Sequence, residues 1–225
     1  MAVAFAPRTC VVGAELSFVV LAAGRGACIG VDLASGAFVV VRWPGAERTG
    51  AALHRFDVAS AQVAPNEEEL EDDPLTRPEA VVVEGMPRMV GRLRRRAAER
   101  YLRPLLLPAS EHVLGFAAVS LPYWEVPNDR PSVCLVAPPG AVSVVRSDAP
   151  GLACRFEWRG LAHELPLGEG AGAGPLVPAM DRTGRASLSG AALADLLGYM
   201  PRRVVVALSP PTDGMCHKVV PALLP

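Results

Sequence analysis

The sequence predicts a mostly-β protein of the α+β class. Antiparallel sheets in a barrel or sandwich-like arrangement are expected, with one basic amphipathic helix and one short helix near the C-terminus. Three observations lead there. Short Val- and Ala-rich runs recur along most of the 225 residues, cut apart by Pro, Gly and Asp. Valine dominates the runs, and a β-branched side chain suits the half-buried surface of a pleated sheet. The hydrophobic fraction of 51% is enough to bury a core, while no run reaches the roughly 18 uninterrupted apolar residues of a spanning helix.

The elements follow in order. Residues 11–21, 28–33, 38–43 and 53–63 read as strands of an N-terminal meander over 1–64. Gly24 and Gly26 supply the positive φ of the first turn, and Ser35-Gly36 suits a hairpin connection. Residues 65–78 read as an acidic linker or loop, because Glu67, Glu68, Glu69, Glu71, Asp72 and Asp73 repel one another between Pro65 and Pro74. A β-rich domain with two helices is expected over 79–225, continuous with 1–64 or separate from it. After a short strand at 80–84, Met86, Val90, Leu93, Ala97 and Tyr101 recur at three- and four-residue intervals. That spacing predicts an amphipathic helix over 86–103. Its opposite face carries Arg88, Arg92, Arg95, Arg96, Arg100 and Arg103.

Beyond Pro104 the chain is apolar and broken by proline up to Val126, and it includes the pair Tyr123-Trp124. Strands are expected at 132–137, 141–146, 152–158 and 161–167, then a Gly/Ala loop at 168–174. That loop lacks the Gly-Lys-Ser or Gly-Lys-Thr ending of a phosphate loop. Ser187 or Ser189 caps a helix that Gly198 ends. Residues 203–208 and 215–220 close the chain as a hairpin.

The net charge of −1 gives no global pull toward nucleic acid or an anionic membrane. Lys218 is the only lysine among 22 basic residues. Abundant Ala, Gly, Pro and Arg read as the product of a GC-rich bacterial genome. Cys10, Cys28, Cys134, Cys154 and Cys216 are too widely spaced for a metal site, so buried reduced thiols, no metal and no cofactor are expected. Glu15 interrupts the apolar stretch near the N-terminus, which argues against a signal peptide and for a cytoplasmic protein.

Two places remain where function can sit. The arginine face reads first as a solvated face or one paired with the acidic run at 67–73; as a binding surface it suits an anionic partner, with a protein favoured over nucleic acid because no nucleic-acid motif accompanies it. Tyr123 and Trp124 are candidates for the same kind of contact, although such a pair more often lies in a core. The other place is the final hairpin. Strand alternation puts Cys216 and Lys218 on one face and His217 on the other. Lys218 is then able to lower the Cys216 pKa, the basis of an alternative reading as a small enzyme that also draws on scattered His and Asp residues. A non-catalytic interaction or assembly module is the preferred reading. The simplest view of Lys218 itself is a strand residue with a solvated head.

Overall fold

The computed structural model describes residues 11–24, 26–43, 53–65, 79–126, 131–147, 151–168 and 173–225. Its contacts divide the chain into two compact units. The first holds residues 1–105 and 127–132, the second 106–126 and 133–225. The acidic run expected at 65–78 lies outside the described residues, apart from Pro65.

The first unit is one curled six-stranded sheet. Its strands are β1 (Glu15–Ala23), β2 (Ala27–Asp32), β3 (Phe38–Arg42), β4 (Asp57–Gln62), β5 (Ala80–Val82) and β6 (Arg88–Arg92). The order is β5-β3-β2-β1-β4-β6, antiparallel throughout except for the β3–β5 pair. The sheet bends round until Val63, beyond β4, bridges Val83, beyond β5. The Ala64 N–H to Val82 carbonyl bond and the Glu84 N–H to Gln62 carbonyl bond reinforce that closure.

The alternating residues Leu16, Phe18 and Val20 of β1 point inward, against Cys28, Val39, Val41, Ala59, Val81 and Val83. The turn between β2 and β3 is built by Asp32. Its carboxylate accepts the N–H groups of Ala34 and Ser35, and Gly36 takes a φ of 71°. An Asp that bonds the backbone two residues ahead shapes such turns. The turn is longer than the two-residue connection that Ser35-Gly36 suggested.

Helix α1 (Arg95–Leu102) follows β6 directly. The helix expected over 86–103 is therefore a strand, a two-residue link and a shorter helix. Pro87 and Gly91 weaken a helix there, and β4 offers an edge that Arg88–Arg92 pair with instead. Within α1 the buried residues are Ala98 and Leu102. The inward stripe is thus displaced by one residue from the expected Ala97 and Tyr101, which are half-buried.

Residues 131–132 join this unit through a buried acid. Glu79 is fully buried, and its Oε1 accepts bonds from the Ser132 backbone N–H and, at 2.6 Å, from its hydroxyl. Among the described residues its Oε2 has no partner.

The second unit packs two four-stranded antiparallel sheets on one core. One has the order β11-β10-β9-β12 and the other β7-β14-β13-β8. The first uses β9 (Ser143–Arg146), β10 (Leu152–Trp158), β11 (Leu161–Pro166) and β12 (Ser187–Ser189). The second uses β7 (Ser120–Pro122), β8 (Val133–Val136), β13 (Arg203–Leu208) and β14 (Met215–Leu224). Leu167 bridges Val220 in parallel and ties them together.

Cys154, Phe156 and Trp158 of β10 alternate into this core with Leu165, Val204, Val206 and Val220. Helix α3 (Gly190–Leu197) contributes Leu193 and ends at Gly198, whose φ of 75° is the left-handed cap expected of it. Helix α2 (Ala173–Thr183) was not legible in the sequence. Pro175 falls in its first turn, where a missing N–H does no harm, but Pro178 lies inside it. Burial of Leu176, Ala179 and Met180 on one stripe outweighs that loss. The fold is thus mostly β, with three α-helices among the described residues. Among the described residues no helix is long and apolar enough to cross a membrane.

One close approach in the first unit is open to test. A Cβ placed on Gly30 would stand 2.7 Å from Phe18 Cδ2 and 2.7 Å from the Val19 carbonyl oxygen. Phe18 has no exposure and β1 is hydrogen-bonded on both sides, so neither neighbour can yield cheaply. Gly30→Ala is expected to destabilise the protein by about 1–3 kcal/mol, read as a lower urea midpoint.

Candidate functional sites

Strand alternation along β14 carries a lysine into the second unit. Cys216, Lys218 and Val220 form the inward row, while His217 is exposed, as the sequence required. The solvated head expected of Lys218 is not found: the residue is only 1% exposed. A buried ammonium must have its protons bonded. Lys218 Nζ donates to the Phe116 carbonyl at 2.6 Å and sits 4.0 Å from the centroid of the Phe116 ring. The Lys218 backbone N–H donates to Val119. Both contacts come from the segment 113–119, whose backbone is bent by Leu114 at φ 55° and Gly115 at φ 84°. A left-handed leucine is uncommon and costs about 1 kcal/mol or more. It persists here because the Trp158 Nε1–H to Glu111 carbonyl bond and the burial of Val113 and Leu114 hold the segment down.

Lys218 makes no ion pair among the described residues. Burial lowers its pKa from 10.5 to about 8, opposed only by the nearby Cys134 thiol. That thiol, on β8, is pushed up to about 12, chiefly by burial, with a backbone bond from Leu114 and the charge of Lys218 pulling the other way. His163 on β11 is buried too and stacks on Phe156 with ring centroids 5.2 Å apart. Burial lowers its pKa, and the charges of Lys218 and His112 lower it further. The structure thus gathers Lys218, Cys134, His163 and His112 electrostatically. Sequence reasoning had paired Lys218 with Cys216, its neighbour on the strand. Cys134 and His163 are distant in sequence, and only the inward alternation of β8 and β11 would have pointed to them. A neutral thiol, a base of lowered pKa and a buried amine can hold or release protons. Among the described residues, no cluster of His, Cys, Asp and Glu is placed to bind a metal ion.

The arginine surface belongs to the first unit. Arg88 and Arg92 stand on β6, Arg95, Arg96 and Arg100 on α1, and Arg103 in the 3-10 turn that follows; all six are exposed. At 100° per residue Arg96 and Arg100 stand across α1 from Ala98 and Leu102, while Arg95 flanks that buried stripe. Arg92 is fixed by the buried Asp57, its Nε lying 2.6 Å from Asp57 Oδ1. The other Asp57 oxygen accepts the His54 N–H. Phe56 between them takes a φ of 68°, held by bonds from its N–H to Val20 and from the Leu93 N–H to its own carbonyl. Arg88, Arg95, Arg96, Arg100 and Arg103 make no ion pair with a described residue.

Tyr123 and Trp124 lie on the second unit in a short 3-10 turn, with rings edge-to-face at 5.1 Å. They are surface residues rather than core, Trp124 being 68% exposed. The Trp124 ring lies over Gly214, where a Cβ would stand 3.4 Å from it. Cys28, Cys134 and Cys154 are buried and free, and Cys216 is buried. No protein-family model and no curated protein matches this chain.

The buried amine has a pH signature. Below about pH 8 the lysine is charged in both the folded and unfolded states. Between about 8 and 10.5 the folded form gives up its proton first, so stability rises with pH across that window. The buried thiols, pushed up to about 12, oppose this above pH 9, where the unfolded thiols ionise. The difference between wild type and Lys218→Met isolates the lysine. The wild type is expected to gain on the order of 2–3 kcal/mol relative to the variant between pH 7 and 10.5, measured by urea unfolding at each pH.

Proposed function

We propose that this protein is a non-catalytic interaction module that takes an anionic partner on the arginine surface of β6 and α1. The observation that carries the reading is an excess of exposed guanidinium. Seven arginines, Arg94 included, stand within the sixteen residues 88–103, and only Arg92 is occupied by a described carboxylate. Arginine presents a planar fork of donors that suits carboxylate and phosphate alike. Arg92 is also held in place before any ligand arrives, which reduces the entropy lost on binding. The buried free thiols of Cys28, Cys134 and Cys154 favour a reducing compartment, and on that ground we propose the cytoplasm.

Arg95→Ser/Arg96→Ser/Arg100→Ser removes three exposed charges without touching Asp57. Its stability is expected to stay within about 0.5 kcal/mol of wild type. Its binding to polyglutamate or to mixed-sequence single-stranded DNA and RNA at low salt is expected to fall at least about tenfold. Wild-type binding should weaken as salt is raised. Unchanged binding in the triple variant would sink the reading.

A second reading is favoured by one observation, the buried Lys218 with its pKa lowered to about 8. An amine whose pKa falls to about 8 has a far larger neutral, nucleophilic fraction near physiological pH than an ordinary lysine, and catalytic lysines are tuned this way. The chain has one lysine, so the two readings separate cleanly. A small aldehyde condenses with a free amine, releasing water, and cyanoborohydride reduces the resulting imine to a stable adduct. For an interaction module, Lys218 is expected to remain unmodified in the native protein and to react only in denaturant, as read by peptide mass spectrometry. Stoichiometric adduct on native Lys218 would instead favour the enzyme.

A further inference from the structure

We propose that the partner of the arginine surface is an acidic peptide in extended conformation, which adds to the free edge of β6 as a seventh strand; this rests on the anionic-partner reading above. β6 is the last strand in the sheet order, and its side away from β4 has no hydrogen-bond partner among the described residues. A strand edge is a row of N–H and C=O groups that only another backbone can satisfy in register. A nucleic-acid backbone offers acceptors but no matching donors.

The side chains along this edge point the same way. Met89 is 53% and Val90 48% exposed, two apolar residues set between Arg88 and Arg92. Apolar surface of that kind suits peptide side chains, and phosphate gains nothing from it. Arg92 has its Nε committed to Asp57, while its terminal nitrogens make no hydrogen bond to a described residue and the side chain remains 54% exposed. It is therefore aimed but unfilled. Two copies of β6 pairing edge to edge would set Arg88 and Arg92 of one against those of the other, and like charges on paired strands repel. The charges that block self-association favour a strand bearing carboxylates. The register shift at Val58/Ala59 leaves Val90 as an extra residue on β6. Such a bulge limits the ladder to a short segment, so affinity must come from the side chains as well.

The experiment compares three fluorescent probes on the full chain at low salt. One is a peptide of five Glu-Thr repeats, one a peptide of five Glu-Pro repeats with the same charge and length, and one a mixed-sequence single-stranded DNA. Proline removes half the backbone donors and cannot continue a ladder. The Glu-Thr peptide is expected to bind at least about tenfold more tightly than the Glu-Pro peptide and to slow hydrogen exchange at residues 88–92. Arg88→Ser, which leaves the Asp57–Arg92 pair intact, is expected to weaken the Glu-Thr peptide by several-fold. Equal binding of the two peptides, or no added protection at 88–92, overturns strand addition. DNA binding more tightly than either peptide overturns the peptide but leaves the anionic-partner reading standing. Failure of all three probes overturns both.

Discussion

Asp57 is almost wholly buried, and a carboxylate is tolerated there only when its oxygens are bonded. One takes the Arg92 guanidinium and the other the His54 backbone N–H. Those two bonds decide much of the first unit. They force the reversal at 54–57, with Phe56 in a left-handed conformation, and they anchor β6 beside β4 where a helix would otherwise compete. Because α1 follows β6 after two residues, the same carboxylate determines where the remaining arginines begin. Asp57 is therefore a structural acid, and the arginine it holds is the one member of the surface whose orientation is already settled.

The second unit meets a buried charge differently. Lys218 has no acid beside it among the described residues, and it is satisfied by a carbonyl and an aromatic face from a single bent segment. Asp57 is met by a guanidinium and a backbone N–H. Lys218 is instead pressed toward neutrality, along with the thiol and imidazole that share its surroundings. Such an arrangement is common to structural and catalytic lysines. What separates them is access, and the segment 113–119 covers the amine.

Much of the strand content was legible because valine runs and Gly/Pro turns are local signals. The β1, β2 and β3 strands, the β10 and β11 pair and the terminal hairpin fall close to where those signals put them. The helical period of Met86, Val90, Leu93, Ala97 and Tyr101 was misleading. A period scores side-chain spacing and takes no account of an acid 35 residues upstream that recruits Arg92. Helix α2 was hidden by Pro178, whose penalty is local while the burial that offsets it is tertiary. At the sites, alternation correctly separated His217 from Lys218 and set Lys218 inward with Cys216. It could not show that the lysine head stays inside, since that depends on a carbonyl from residue 116, a hundred residues away. The seat of the Trp124 ring over Gly214 is likewise a contact between residues far apart in sequence.

The assignment of residues 127–132 to the first unit has a consequence for synthesis. The chain leaves that unit at residue 105, builds 106–126 into the second, and returns before leaving again at 133. Ser132 supplies both donors that satisfy one oxygen of the buried Glu79. As the ribosome releases the chain from its N-terminus, the curled sheet can gather its strands once residue 92 has emerged. It must then hold an unquenched acid until some forty further residues have followed. Completion of the first unit is in this way scheduled by the second, and a chain cut at the apparent boundary after Leu105 would carry that unfinished carboxylate permanently.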